Sequence, residues 1–211
     1  MNDHATYSAL LKGNRAIPVV TFARVEDAVP VGQALLAGGV GVIEVTLRTP
    51  AGLEALKRLR AECPDLVLGA GTVLEPAQAE AAVASGARFL VSPGHTDRLV
   101  GCAKSIDVPW MLGATSLSEV MHLRDHGFAV QKFFPAEPAG GLAVLKAIGS
   151  VLPDVRFCPT GGISPAKAKD YLASPNVIAV GGSWFVPAGE LDVAAVTAAA
   201  REAAATLNSA V

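Results

Sequence analysis

No apolar run in the 211 residues is long enough to cross a bilayer. A helical span needs roughly 18–20 such residues, and glycine, proline or a charge interrupts every stretch sooner. Charge is also sparse. Charged residues make up 17% and hydrophobic residues 51%, the opposite of a disordered chain. Neither sign dominates: 17 Lys and Arg against 19 Asp and Glu leave a net charge of −2, which gives no general field for nucleic acid or an anionic membrane. An anionic small molecule would therefore need local cations and backbone N–H groups. Only three cysteines occur, Cys63, Cys102 and Cys158, with no CxxC pair, so reduced thiols in a reducing compartment are expected. The first residues, Met1 to Leu11, lack a signal-peptide core. The expectation is a cytoplasmic protein with one domain over residues 1–211.

What is present is alternation. Short β-branched runs, Ile17–Phe22, Val42–Leu47, Leu66–Gly71, Phe89–Ser92, Val108–Leu112, Val130–Phe134, Val155–Pro159 and Val177–Val180, read as strands. Segments at helical spacing lie between them, among them Val25–Ala37, Ala51–Glu62, Pro76–Ser85 and Ser116–His126. Thr49-Pro50, Ser116 with Glu119, and Ser164-Pro165 look like helix starts; Gly38-Gly39, Gly86 and Gly127 look like helix ends. About eight such units, with a leading helix near Thr6–Lys12 and a closing one near Val193–Leu207, predict an α/β fold: a single-domain (β/α)8 TIM barrel with an N-terminal helix. The first turn, Phe22-Ala23-Arg24-Val25, has no glycine, which argues against a dinucleotide-binding open sheet.

Two strands carry polar residues where a barrel should be apolar. Ile43, Val45 and Leu47 share one face; Glu44, Thr46 and Arg48 share the other and should point inward, with Arg48 nearest the C-terminal rim. Buried carboxylates and guanidinium groups are costly unless paired or used. In Val130-Gln131-Lys132-Phe133-Phe134-Pro135, a lone lysine stands among aliphatic and aromatic neighbours. A lysine taken out of water gives up its proton more readily, and the neutral amine is the form that adds to a ketone. Glu44 offers a proton shuttle if the fold brings strands two and six together. The turns Thr160-Gly161-Gly162 and Gly181-Gly182-Ser183 follow the last two strands, where such barrels commonly hold a phosphate. Gly69-Ala70-Gly71-Thr72 and Ser92-Pro93-Gly94 are further turns with open roles. His122 and His126 have the spacing of a metal-ligand pair but lie within a helix, without HExxH.

These spaced motifs, Glu44-Val45-Thr46-Leu47-Arg48-Thr49, Gly69-Ala70-Gly71-Thr72-Val73, Ser92-Pro93-Gly94, Lys132-Phe133-Phe134-Pro135-Ala136-Glu137 and Arg156-Phe157-Cys158-Pro159-Thr160-Gly161-Gly162-Ile163, resemble those of the 2-keto-3-deoxy-6-phosphogluconate/4-hydroxy-2-oxoglutarate aldolase family. The match runs in order from about Ile17 to Val186. The resemblance implies a class I aldolase, usually a homotrimer, acting on a phosphorylated keto acid with no cofactor and no metal. It assigns Lys132 to the Schiff base and Glu44 to proton transfer. By it, Arg48 and Thr72 hold the pyruvate carboxylate, Gly161, Gly162 and Ser183 bind the phosphate, and Thr160 and Phe134 line the pocket. Pro93 receives only a packing role. One departure is Leu112, where the family pattern has proline before Gly113. The galactonate epimer of the substrate, a barrel isomerase or epimerase, a metal-dependent enzyme and a non-catalytic sugar-phosphate sensor are the rival readings.

Overall fold

A computed structural model describes residues 3–187 and 189–208. It is an α/β fold whose nine strands pair only in parallel among the described residues. The elements in chain order are α1 (His4–Leu11), β1 (Ala16–Val20), α2 (Ala28–Ala37), β2 (Val42–Thr46), α3 (Ala51–Glu62), β3 (Val67–Gly71), α4 (Pro76–Ala84), β4 (Phe89–Val91) and α5 (Asp97–Ser105). They continue with β5 (Trp110–Met111), β6 (Gly113–Ala114), α6 (Leu117–Asp125), β7 (Val130–Phe133), α7 (Gly141–Val151), β8 (Arg156–Pro159), α8 (Pro165–Leu172), β9 (Val180–Gly182) and α9 (Val193–Leu207). One curled sheet has the order β5-β4-β3-β2-β1-β9, and a second has β6-β7-β8. The expected fifth strand is split by Leu112, with β5 pairing to β4 and β6 to β7. Isolated bridges Phe157↔Val177 and Thr160↔Gly181 lie between β8 and the approach to β9 and β9 itself.

Strands β2 and β3 are buried along their whole length. A strand covered on both faces by helices or by the opposite strands needs no polar side, and Ile43, Val45, Leu68 and Ala70 meet that demand. Helix α9 buries Val196, Ala200, Ala203 and Leu207, a stripe at helical spacing. Its alanines let α2 come close: a Cβ on Gly38 would lie 2.4 Å from the Ala200 Cβ. Tyr7, from α1, is completely buried, so the leading helix belongs to the core.

The helix punctuation holds with exceptions that have physical reasons. Ser116 and Glu119 form the reciprocal capping box at α6, and the Ser164 side chain accepts from the Lys167 amide at α8. Thr49 does not cap α3. Its hydroxyl donates instead to the Phe22 carbonyl at 2.6 Å, tying the loop after β2 to the loop after β1. The segment from Val25 begins as a 3-10 turn over Val25–Asp27 before α2. The last strand starts at Val180 rather than Val177, because Val177 makes only a single bridge. Among the described residues no helix is long and apolar enough to cross a membrane.

Candidate active site

Glu44 and Lys132 meet. The parallel register β1–β2–β3 sets Glu44 opposite Val19 on one side and Gly69 on the other. Lys132, on β7, is opposite Gly113 and Cys158. Their side chains are 2% and 3% exposed, and Lys132 Nζ donates to Glu44 Oε1 at 3.2 Å. Two residues 88 apart in sequence thus form one buried ion pair. Taking both charges out of water costs several kcal/mol per ion, roughly balanced only by good geometry, so bulk stability alone gives little reason to keep the pair there.

The space around the pair is made by glycine. A Cβ on Gly71 would come within 2.1 Å of Glu44 Oε1, so any larger residue there would displace the carboxylate. A Cβ on Gly113 would lie 2.2 Å from the Pro93 carbonyl oxygen, so Pro93 packs against the strand beside Lys132, as the sequence suggested. The ring of Phe134 stands 5.3 Å from Lys132 Nζ, a cation–π distance for the ammonium. Cys158, the cross-strand neighbour of Lys132, is buried and free, and burial pushes its thiol up to about 12.

Among the described residues Thr72 is the one β-branched residue in the left-handed region, at φ 59°. That conformation is a true outlier for such a side chain, and it presents the Thr72 hydroxyl to Arg48. Arg48 Nε donates to Thr72 Oγ1 at 3.1 Å. The guanidinium is exposed, not buried beside Glu44 as the inward alternation suggested. Strand β2 ends at Thr46, so Arg48 leaves the strand and lies at the rim. Thr46 remains inside and shares a 2.7 Å hydroxyl contact with Thr21.

The second half of the site follows β8. Thr160 is buried, and its Oγ1 has no hydrogen-bond partner among the described residues. It faces Gly181, where a Cβ would approach that oxygen to 2.3 Å. Gly161 and Gly162 have φ of 103° and 78°, so the turn requires glycine twice. A Cβ on Gly161 would touch the Phe134 ring at 3.2 Å. Phe134 therefore links the lysine to the glycine turn. Ser183 is exposed and lines a cavity of about 350 Å³ with Thr21, Phe22 and Gly189. A larger cavity, about 810 Å³, has Arg88, Lys104 and His126 in its wall and includes none of the residues around Lys132.

The two histidines of α6 and its end contact each other and their own helix. The His122 and His126 rings are tilted by 35° with centroids 4.5 Å apart, and His95 stacks on His122 at 5.2 Å. His126 Nδ1 lies 2.8 Å from the His122 carbonyl oxygen and His122 Nε2 lies 3.5 Å from Asp97 Oδ1, and no cluster of three or more metal-ligating side chains occurs among the described residues.

A buried amine against a carboxylate, with a guanidinium and hydroxyl pair at the rim and glycine turns beyond, defines a class of carbonyl chemistry: imine-forming enzymes on parallel α/β folds. The chain belongs to the KDPG and KHG aldolase family, which it matches over residues 8–199. It is 48% identical over 195 residues to the 2-dehydro-3-deoxy-phosphogluconate aldolase of Zymomonas mobilis, covering 92% of this chain and 93% of that one. It is 45% identical over 205 residues to the KHG/KDPG aldolase of Escherichia coli K12, covering 96% of each. The crystal structure of the Zymomonas mobilis aldolase with 3-phosphoglycerate superposes with a TM-score of 0.92 at 46% identity, over 97% of both chains. That of the Legionella pneumophila enzyme, with pyruvate captured as a covalent carbinolamine, gives a TM-score of 0.89 at 44% identity, over 92% of this chain and 96% of that one.

Proposed function

We propose that the chain is a class I aldolase that reversibly cleaves 2-dehydro-3-deoxy-6-phosphogluconate to pyruvate and glyceraldehyde 3-phosphate, and 4-hydroxy-2-oxoglutarate to pyruvate and glyoxylate. The observation that carries this reading is the buried contact of Lys132 Nζ with Glu44 Oε1 at 3.2 Å. With its proton handed to Glu44, the amine adds to the C2 ketone to give a carbinolamine. Glu44 returns the proton as water leaves, and an iminium remains. The carboxylate then takes the C4 hydroxyl proton while the C3–C4 electron pair flows into the iminium. The aldehyde departs, the enamine is protonated at C3, and hydrolysis frees pyruvate and the lysine. The iminium is the electron sink, so no cofactor is needed for the bond cleavage.

Substrate placement follows from the same residues. The exposed Arg48 guanidinium beside Thr72 suits a bidentate grip on the pyruvate carboxylate. Gly161 and Gly162, with Ser183 beyond, are suited to the phosphate, since glycine turns can aim N–H groups at an oxyanion. Thr160 and Phe134 line the space between the two ends, and the buried Thr160 hydroxyl, whose neighbour is the Cys158 thiol, is suited to a substrate oxygen.

The same proposal extends to architecture and setting. Met111 and Gly113 flank a single residue, and Thr160 bridges to Gly181. Both features support one closed eight-stranded barrel in a single domain. Assembly as a homotrimer and a cytoplasmic location complete it, in keeping with free thiols at Cys63, Cys102 and Cys158.

The test is incubation with pyruvate and borohydride followed by digestion and mass spectrometry. A reduced pyruvate adduct on Lys132 is expected. Folded protein that gives no adduct, or carries it on another lysine, would overturn the proposal.

A further inference from the structure

Glu137 takes no part in the chemistry above, yet it sits where four pieces of chain meet. Past Phe134 the backbone stays paired to the turn after β8: the Ala136 amide donates to the Thr160 carbonyl at 2.8 Å and the Glu137 amide to the Gly161 carbonyl at 3.0 Å. The side chain then reaches α8. Glu137 Oε1 accepts from the Tyr171 hydroxyl at 2.5 Å, and Oε2 accepts from the Lys167 ammonium. Lys167 and Tyr171 are one helical turn apart, so they present donors from one face of α8. Tyr171 is 2% exposed, which fixes one donor in the core, whereas Lys167 reaches in from the surface.

The stem of Glu137 is wedged as well. A Cβ on Gly162 would lie 2.9 Å from Glu137 Cβ, and one on Gly141, the first residue of α7, would lie 2.9 Å from the Tyr171 oxygen and 3.2 Å from Glu137 Oε1. The carboxylate therefore joins the end of the Lys132 strand, the Gly161–Gly162 turn, the start of α7 and the face of α8. Lys167 first and Tyr171 second hold its carboxyl below the usual range, so it stays an acceptor for both donors. Burial, then the bond to Glu137, pushes the Tyr171 phenol up, so that proton stays in place.

We infer that Glu137 is a positioning residue for phosphate recognition: it fixes the Gly161–Gly162 turn against the Lys132 strand, so that the phosphate seat and the imine-forming amine keep one separation. The inference rests on the reading of that turn as the phosphate seat. A carboxylate held by one buried donor and one charged donor resists displacement better than a turn held by backbone bonds alone. Pyruvate carries no phosphate, so imine formation with it does not call on this device.

The test compares Glu137→Ala, Glu137→Gln and Tyr171→Phe with the parent enzyme. Each is measured for KM with 2-dehydro-3-deoxy-6-phosphogluconate and for pyruvate trapping by borohydride. Glu137→Ala should raise KM about tenfold, the size expected on losing a charge-assisted hydrogen bond, while pyruvate trapping stays within about twofold. Glu137→Gln keeps an acceptor for Tyr171 and should recover part of the loss. If Glu137→Ala fails to fold, Glu137→Gln and Tyr171→Phe carry the test, each with a smaller rise in KM that again spares pyruvate trapping. Equal losses in KM and trapping, or no change in either, would overturn the inference. Gly161→Ala separates the two readings. If it leaves KM for the phosphorylated substrate unchanged, the phosphate seat itself is wrong. If it raises KM and the Glu137 variants do not, only the positioning role fails.

Discussion

The proposed catalysis turns on one acidic residue placed within reach of one amine. Because Glu44 is the only carboxylate bonded to Lys132 among the described residues, Glu44→Gln should keep the shape of the site and remove the proposed proton carrier. General acid–base help is typically worth about 10²–10⁴-fold, so turnover should fall by that factor with an unchanged circular dichroism spectrum. Turnover like that of the parent would remove the assignment. Thr72 offers a second test at this scale. Its left-handed φ of 59° stores strain of order 1–3 kcal/mol, against an entropic cost of about 0.5–1 kcal/mol for glycine. Thr72→Gly should therefore leave Tm unchanged or raise it by a few degrees, yet weaken the hold on Arg48 and raise KM for the keto acid. A fall in Tm would refute the strain argument. The sequence marked Thr72 as a polar group after a strand, but nothing in a residue type reveals that its backbone must turn left-handed.

Among the elements, periodicity and caps were the most readable signals, because they depend on neighbours a few residues apart. The bounds of α3 and α9 agree with the sequence spacing, as does the capping box of α6. The break at Leu112 and the late start of β9 were not readable, since they depend on which strand lies alongside. The purpose of Gly71 was hidden for the same reason: only the folded sheet reveals that its missing Cβ leaves room for Glu44. Glu119 gives this scale its own prediction. Its carboxyl lies below the usual glutamate range, chiefly because the Ser116 and Thr115 amides donate to it, with smaller help from the Ser116 hydroxyl and His95. A lowered folded value means the stabilisation is present above the ordinary value of about 4.3 and is lost as pH falls through the folded one. Solvent screening keeps the effect small and glutamine can still close the box, so Glu119→Gln should cost only a few tenths of a kcal/mol at pH 7, with the difference from the parent closing on acidification below about pH 4. A difference constant from pH 7 to pH 3 in urea titrations would contradict the cap.

At the scale of the whole molecule, the approach to the first strand and the end of the closing helix are drawn to the same place, and one residue does much of it. The Arg15 amide donates to Asn208 Oδ1 at 2.8 Å, just past α9, while the guanidinium donates to the carbonyls of Leu172, Val177 and Ile178 at 2.9, 3.3 and 3.4 Å. The first strand, the loop leading to the last strand and the end of the closing helix are thereby fastened together. Arg15 precedes the first strand and had no motif around it, so its role follows only from the meeting of residues up to 193 positions apart. The proposed active residues, Lys132, Glu44 and the glycine turns, are not among the groups it bonds. Arg15→Ala should accordingly lower stability by about 2–3 kcal/mol, given the worth of hydrogen bonds from a charged donor. In a chain of this size that is roughly 4–12 °C in Tm. Aldolase turnover at 25 °C should stay close to that of the parent, because the ion pair does not depend on this fastening. A variant that keeps its Tm would disprove the fastening. One that keeps its Tm but loses turnover would mean that the two ends of the sheet are coupled in a way the separate contacts do not account for.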